Sequence, residues 1–183
     1  EPTRDPARQG ELVVRVPMEP LDRACTVVEL ALDGGVEPTP FAVRADESGA
    51  LALLPHDALL AGPSLRVEQV GAVEDVHYNL GYWLDASATA SWPIELERAG
   101  EHTVAIELAC ADASAGAEVE LALGGKALAF TVPATGGWQS YRTLELGRAE
   151  LAKGPATVVL RARTKPGEAV VNVRAIRIVP RGR

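Results

Sequence analysis

Residues 135–141 read T-G-G-W-Q-S-Y. Glycine opens backbone conformations closed to other residues and lets a ligand approach the main chain. An indole placed directly after two glycines therefore reads as a ring offered from a surface loop. Only 4% of the chain is aromatic, and six of its eight aromatic residues fall in three places: H-Y-N-L-G-Y-W (77–83), Trp92 and G-G-W-Q-S-Y (136–141). Two aromatic planes with an amide nearby make a sugar site in physical terms. The C–H faces of a pyranose are apolar and pack on rings. Its hydroxyls need fixed partners, because a buried polar group left unpaired costs about 1–3 kcal/mol. Trp138 is one candidate plane. Tyr82 and Trp83 are candidates for the other: neighbours on an extended segment point to opposite faces, so one can be core while the other is presented. Asn172, in V-V-N-V-R-A-I, and Gln139, beside the indole, are the candidate amides. Trp92 shares parity with Ile94 and Leu96 and reads as core, and Tyr141 opens a strand and reads as structural.

Catalytic patterns are missing. His56, His77 and His102 have no metal-ligand partner at helical or hairpin spacing. There is no Gly-x-Ser-x-Gly elbow and no glycine-rich phosphate loop before a helix. Glu95, Glu97, Glu118 and Glu120 alternate outward from strands, which is the pattern of a solvated sheet face. A glycosidase pair needs two carboxylates at a set separation across a cleft, and nothing in the spacing points to one. No catalytic residue, metal ligand or cofactor is expected.

The chain has 183 residues, 47% hydrophobic and 23% charged, a composition that suits an ordinary globular protein. No apolar run is long enough to span a bilayer, so no membrane partner is expected. Net charge is −7 and uneven. Residues 151–183 hold eight Lys or Arg and one acid, Glu168, whereas 1–150 hold ten basic and twenty-four acidic residues. The late arginines alternate with Val and Ile as outward strand positions, and the acidic majority repels phosphate; no nucleic-acid partner is expected. Cys25 and Cys110 sit in apolar runs and read as buried thiols, with one disulfide still open in an oxidising compartment.

Alternation dominates and helical periodicity is nearly absent. Val104, Ile106 and Leu108 share one face, as do Val119, Leu121 and Leu123. Gly124-Gly125 between two such runs predicts a tight hairpin. Further strands are expected at 91–97, 141–146, 155–163 and 169–179, separated by turn signals. The pattern is that of an all-β antiparallel sandwich, which residues 64–180 are expected to form alone. Strands are also expected at 11–17 and 25–32, a hairpin from 41–45 and 50–54 around D-E-S-G, and one short helical turn within 54–62.

Three stretches carry a resemblance. V-P-A-T-G-G-W-Q-S-Y (132–141), N-L-G-Y-W (79–83) and V-N-V-R-A-I (171–176) resemble, in order and spacing, the signatures of family 6 carbohydrate-binding modules. The resemblance covers residues 64–180. It implies a galactose-binding-like jelly roll beside a glycosidase domain, with a loop-end cleft that holds a sugar between Tyr82 and Trp138 over Asn172. Two departures accompany it. The family holds a structural calcium through acids on its first strand and an aspartate on its last. Here those places carry Arg66 with Glu68, and Arg174, so no calcium is expected and Glu68 is expected to pair with Arg174. The segment L-D-A-S-A-T-A (84–90) is small, so that side of the cleft is expected to be shallow.

Residues 13–34 resemble the closing strands of the accessory β-domain of bacterial α-L-fucosidases. That resemblance implies that the chain, which begins at Glu1, is the C-terminal part of a larger secreted or periplasmic bacterial enzyme, with its catalytic domain as a partner. The expected organisation is 1–38 as the end of an upstream domain, 39–63 as a linking hairpin and 64–183 as the sandwich. Three functions stay open, in this order: a non-catalytic sugar-binding module, a docking module that packs on a catalytic domain without binding sugar, and an enzyme.

A test follows for 1–38, which hold too few strands to close a sheet. If they are strands of an upstream domain, deleting them leaves the melting temperature nearly unchanged. If they pack on the sandwich, deletion lowers it. Pro38 and Pro40 mark a plausible boundary and favour the first outcome. Hydrogen-exchange protection over 11–17 and 25–32 as durable as that over 101–110 would decide for the second.

Overall fold

Alternating sequence becomes two facing sheets when every second residue must leave water. In the computed structural model of the chain, residues 27–29, 31, 33–34, 41–71 and 76–181 are described. Contacts divide the chain into Glu1–Pro40 and Phe41–Arg183. The strands expected over 11–17 and 25–32 lie outside the described residues, apart from 27–29 and 31, which carry no strand pairing. Cys25 also lies outside them; Cys110 is a buried free thiol, and its burial, with Asp112 nearby, raises its pKa.

The second unit contains twelve strands among the described residues: β1 Val43–Arg44, β2 Leu51–Leu53, β3 Leu59–Ala61, β4 Arg66–Val70, β5 His77–Gly81, β6 Thr89–Leu96, β7 Gly100–Cys110, β8 Glu118–Leu123, β9 Lys126–Thr131, β10 Gly137–Leu151, β11 Gly154–Ala162 and β12 Asn172–Pro180. One sheet runs β1-β6-β11-β8-β9, with β3 also on β6. The other runs β10-β7-β12-β5-β4, with β2 also on β12. Pairing is antiparallel except between β1 and β6. The all-β sandwich expected from alternation is therefore the fold.

The inward faces are the ones alternation marks. Trp92, Ile94 and Leu96, then Val104, Ile106 and Leu108, then Val119, Leu121 and Leu123 are all buried in one cluster. Leu123 pairs with Lys126 across Gly124-Gly125. Both glycines have positive φ, 57° and 77°, which a tight two-residue turn demands. The turn at Pro55–Asp57 is a single 3-10 turn. Glu118 is exposed as expected, but Glu120 is not solvated. It leaves the sheet outward between Arg161 and Arg163, whose Nε atoms each donate at 2.9 Å, and the two guanidiniums reduce its exposure to 2%. Those hydrogen bonds hold its carboxyl below the usual range.

The hairpin expected over 41–54 does not form. D-E-S-G does turn, with the Asp46 N–H donating to the Ala50 carbonyl at 2.9 Å. The flanking strands, however, enter opposite sheets: Val43 pairs with Ile94, whereas Leu51–Leu53 pair with Ile178–Ile176. The chain then returns, and β3 pairs with the first half of β6. Both sheets have a strand left partly unpaired, β6 in one and β12 in the other, and the segment fills both gaps. The Trp92 indole N–H fixes the crossing by donating to the Leu54 carbonyl at 2.8 Å. Residues 64–180 thus do not make the sandwich alone.

Leu53 is fully buried in the core. Leu53→Ala is expected to lower unfolding stability by about 2–5 kcal/mol, as for other buried leucines, in denaturant melts. A loss below about 1 kcal/mol, within the range of ordinary surface changes, would show that the 41–61 segment docks loosely.

Candidate functional site

β10 begins as a deformed strand, and the deformation explains the glycines. Gly137 pairs with Cys110 and Arg142 pairs with Leu108. Between those pairs, residues 138–141 stand opposite Ala109 alone, four residues against one. The surplus must bulge out of the ladder, and Gly136, with φ 94°, lets the chain enter it. The base of the bulge is pinned. The Thr135 N–H donates to the Cys110 carbonyl at 3.0 Å, and Thr135 Oγ1 accepts from the Cys110 N–H at 2.9 Å. The Gly136 N–H donates to Asp112 Oδ1 at 3.1 Å. Trp138 emerges half-buried, its lower part packed against the core, and Gln139 is exposed.

The second aromatic comes from the end of β5. Tyr82 has φ 51°, a left-handed conformation uncommon for a bulky residue and worth relating to function. The Leu84 N–H donates to the Tyr82 carbonyl at 2.8 Å, and the Val170 N–H to the Trp83 carbonyl at 2.9 Å. This reversal separates the two neighbours: Tyr82 is 46% exposed and Trp83 is 0% exposed. Trp83 is therefore core and not a ligand contact, and its indole N–H donates to the Ala88 carbonyl at 3.1 Å. The Arg66 guanidinium lies 3.6 Å from the centroid of the Tyr82 ring, a cation–π stack. It leaves at most one face of that ring for a ligand.

Tyr82, Trp138, Gln139 and Asn172 line one cavity of about 280 Å³, together with Glu68, Leu84, Glu168 and Ala169. Asn172 opens β12 and is 6% exposed. Its Nδ2 donates to the Trp138 carbonyl at 3.0 Å, so the amide holds the indole segment as well as lining the cavity. Glu68 is half-buried on β4, in register with Asn79 of β5. Its Oε2 accepts from Asn79 Nδ2 at 2.9 Å. A Cβ on Gly81 would run into that carboxylate, so glycine at 81 makes the room Glu68 occupies. Leu84 lies in the segment expected to flank the cleft, whereas Glu68 and Glu168 enter it as ligand-facing groups that sequence reasoning misses.

Beside the cavity, the outer face of the second sheet carries a polar layer. Arg174 lies over the Tyr141 ring at 3.7 Å and pairs with Glu107 at 3.2 Å. The expected Glu68–Arg174 pair is thus not made: β7 presents Glu107 to Arg174, while Glu68 is held by Asn79. Burial raises the Tyr141 pKa, partly offset by Arg174. Of the histidines, His102 is buried with Nδ1 donating to the Gly100 carbonyl at 2.8 Å, and His56 faces Tyr78 edge-on.

No protein-family model matches the chain, and neither does any curated protein. Solved structures do match. A family 35 carbohydrate-binding module from Clostridium thermocellum aligns with a TM-score of 0.59 and 14% identity, over 72% of this chain and 98% of that one. A carbohydrate-binding module from Cellvibrio mixtus lichenase 5A, solved with cellotriose, aligns at 0.56 and 20%, over 72% and 97%. A Podospora anserina GH26-CBM35 β-1,4-mannanase aligns at 0.56 and 17%, over 75% of this chain and 29% of the enzyme. At these identities the likeness establishes the fold: a β-sandwich of the kind found in carbohydrate-binding modules.

The calcium implied by the family resemblance does not fit the residues present. Arg174 occupies the last-strand place, paired with Glu107 and stacked on Tyr141, and Arg66 takes the first-strand place. Among the described residues no group of three or more His, Cys, Asp or Glu is arranged to hold a metal. Melting curves in excess chelator and in excess calcium are expected to coincide. A metal that binds only the native state must raise the melting temperature, so a rise with calcium would place a site elsewhere in the chain.

Proposed function

We propose that this sandwich is a non-catalytic carbohydrate-binding module that holds a sugar in the cavity between Tyr82 and Trp138. The observation that carries the reading is the convergence of two aromatic rings with the Asn172 and Gln139 amides on one open cavity. Three separate elements, the β5 end, the β10 bulge and the β12 start, each supply a part. The geometry suits a pyranose: apolar ring faces meet its C–H faces and fixed polar atoms meet its hydroxyls. At about 280 Å³ the cavity lies at the small end of ligand pockets, roughly 300–1,000 Å³, which favours one ring or a chain end over a long stretch of polymer. Leu84 adds an apolar wall, beside the small residues of 85–90.

The module is proposed to belong to a larger glycoside hydrolase, exported from a bacterial cell, whose catalytic domain is its partner. Support comes from the likeness to the sandwich of a mannanase that joins such a module to its enzyme. The finer reading, an α-L-fucosidase parent, rests on residues 13–34 and on their resemblance alone. The docking alternative needs a filled cleft with the indole turned inward. Trp138 does pack partly on the core, but it also walls an open cavity, which favours the binding reading.

A glycan array supplies the ligand, and calorimetry on wild type and Trp138→Ala tests the site. Losing the packed indole is expected to cost about 1.5–3 kcal/mol, or roughly tenfold to a hundredfold in affinity. Equal affinities with both proteins folded would remove Trp138 from the site.

A further inference from the structure

Resting on that sugar-binding reading, we propose that the cavity selects sugars bearing a free amine, oligomers of 2-amino-2-deoxyhexoses, over neutral sugars, and rejects uronic acids. Two carboxylates line the cavity, Glu68 half-buried and Glu168 exposed, and no basic side chain lines it. Among the described residues neither carboxylate is paired with a lysine or arginine side chain. The basic side chains of neighbouring elements keep their charge at the edge of the cavity but make no ion pair with either carboxylate. Arg66 stacks on Tyr82, and Arg174 pairs with Glu107. The Lys165 Nζ donates to the Gly167 and Glu168 carbonyls at 2.7 and 3.2 Å.

Glu68 is fixed in place rather than incidental. A carboxylate can only accept, so its 2.9 Å contact fixes the Asn79 amide with Nδ2 towards Glu68. The other end of that amide, Asn79 Oδ1, is then buried with no hydrogen-bond partner among the described residues. Asn79 stands behind the cavity wall, so Glu68 is held there by one neutral amide and its carboxylate is left without a cationic partner. An ammonium group brings three donors and a positive charge. It would sit between carboxylates and aromatic faces, the two surroundings that attract a cation most strongly once water is displaced. A neutral hydroxyl brings one donor and no charge. A uronate would bring a third carboxylate against two that have no direct ion-pair partner among the described residues, and like charges across an interface disfavour binding.

The test compares oligomers of equal length by calorimetry, at a pH where the sugar amine is protonated: glucosamine, N-acetylglucosamine, glucose (cello-oligomer) and galacturonate. The glucosamine oligomer is expected to bind at least about tenfold tighter than its N-acetylated and neutral counterparts at low salt. That advantage should shrink several-fold at about 0.3 M salt, where partly exposed charges are screened. The galacturonate oligomer should not bind. Glu68→Gln is expected to cut the ratio of amine to neutral affinity about fivefold; Glu168→Gln gives a second reading should the first variant fold poorly. Trp138→Ala must abolish the amine preference, because a preference that survives it reflects attraction to the acidic surface and overturns the proposal. Neutral oligomers binding as tightly as the glucosamine oligomer would also overturn it, while leaving the sugar site standing. If no oligosaccharide binds at all, the sugar-binding reading itself fails.

Discussion

The hydrogen bond from Asn172 to the Trp138 carbonyl ties the site to the fold. An indole expelled from a sheet by a four-against-one bulge would wander over the surface, and ordering a loop and a large side chain at the moment of binding is costly. Here that ordering is done during folding. Thr135 and Asp112 hold the entry to the bulge from the β7 side, and Asn172 holds its first residue, Trp138, from β12. Because β12 lies between β7 and β5, the residue that fixes Trp138 stands on the strand that also borders the Tyr82 end. The two rings are therefore set against each other by one sheet.

That sheet gains support from the strands that complete it and from the core on its inner face. β2 and β5 share one side of β12, and β1 and β3 share one side of β6. Residues 41–61 thread between the sheets and complete both, with Leu51 and Leu53 in the core. The outer face of the site sheet is held differently, by arginines stacked on tyrosines and paired with a carboxylate. Where a cation could bridge acids from two strands, a guanidinium bridges an aromatic ring and Glu107. The same substitution leaves Glu68 without a charged partner and turned to the cavity.

Parity was legible in the sequence because burial imposes it: Trp92, Val104 and Leu121 are inward as alternation requires. Gly124-Gly125 announced its hairpin for a similar reason, since φ at both positions admits little else. Pairing was not legible for 41–54. Two short apolar runs around a turn look alike whether they pair with each other or with two different sheets, and only the open halves of β6 and β12 decide. Within the site, Tyr82 and Trp138 were readable as rings beside glycines. Alternation alone leaves the choice between Tyr82 and Trp83 open, because it depends on the left-handed turn at Tyr82; the family resemblance implies Tyr82, which is the exposed ring. The partner of Glu68 is not legible in the sequence: Glu107 reaches Arg174 from a strand that lies far away in sequence and adjacent in space, and Asn79 holds Glu68 instead.

Where a sugar lies on the sandwich decides between a binding site and a merely structural cavity. A crystal structure of the chain with an oligosaccharide selected on a glycan array tests this directly. A pyranose ring is expected packed on Trp138, with Tyr82 on its other side and polar atoms reaching Glu68, Gln139 or Asn172. A sugar bound instead on the outer sheet face around Tyr141 and His77, with the Tyr82–Trp138 cavity empty, would contradict that placement.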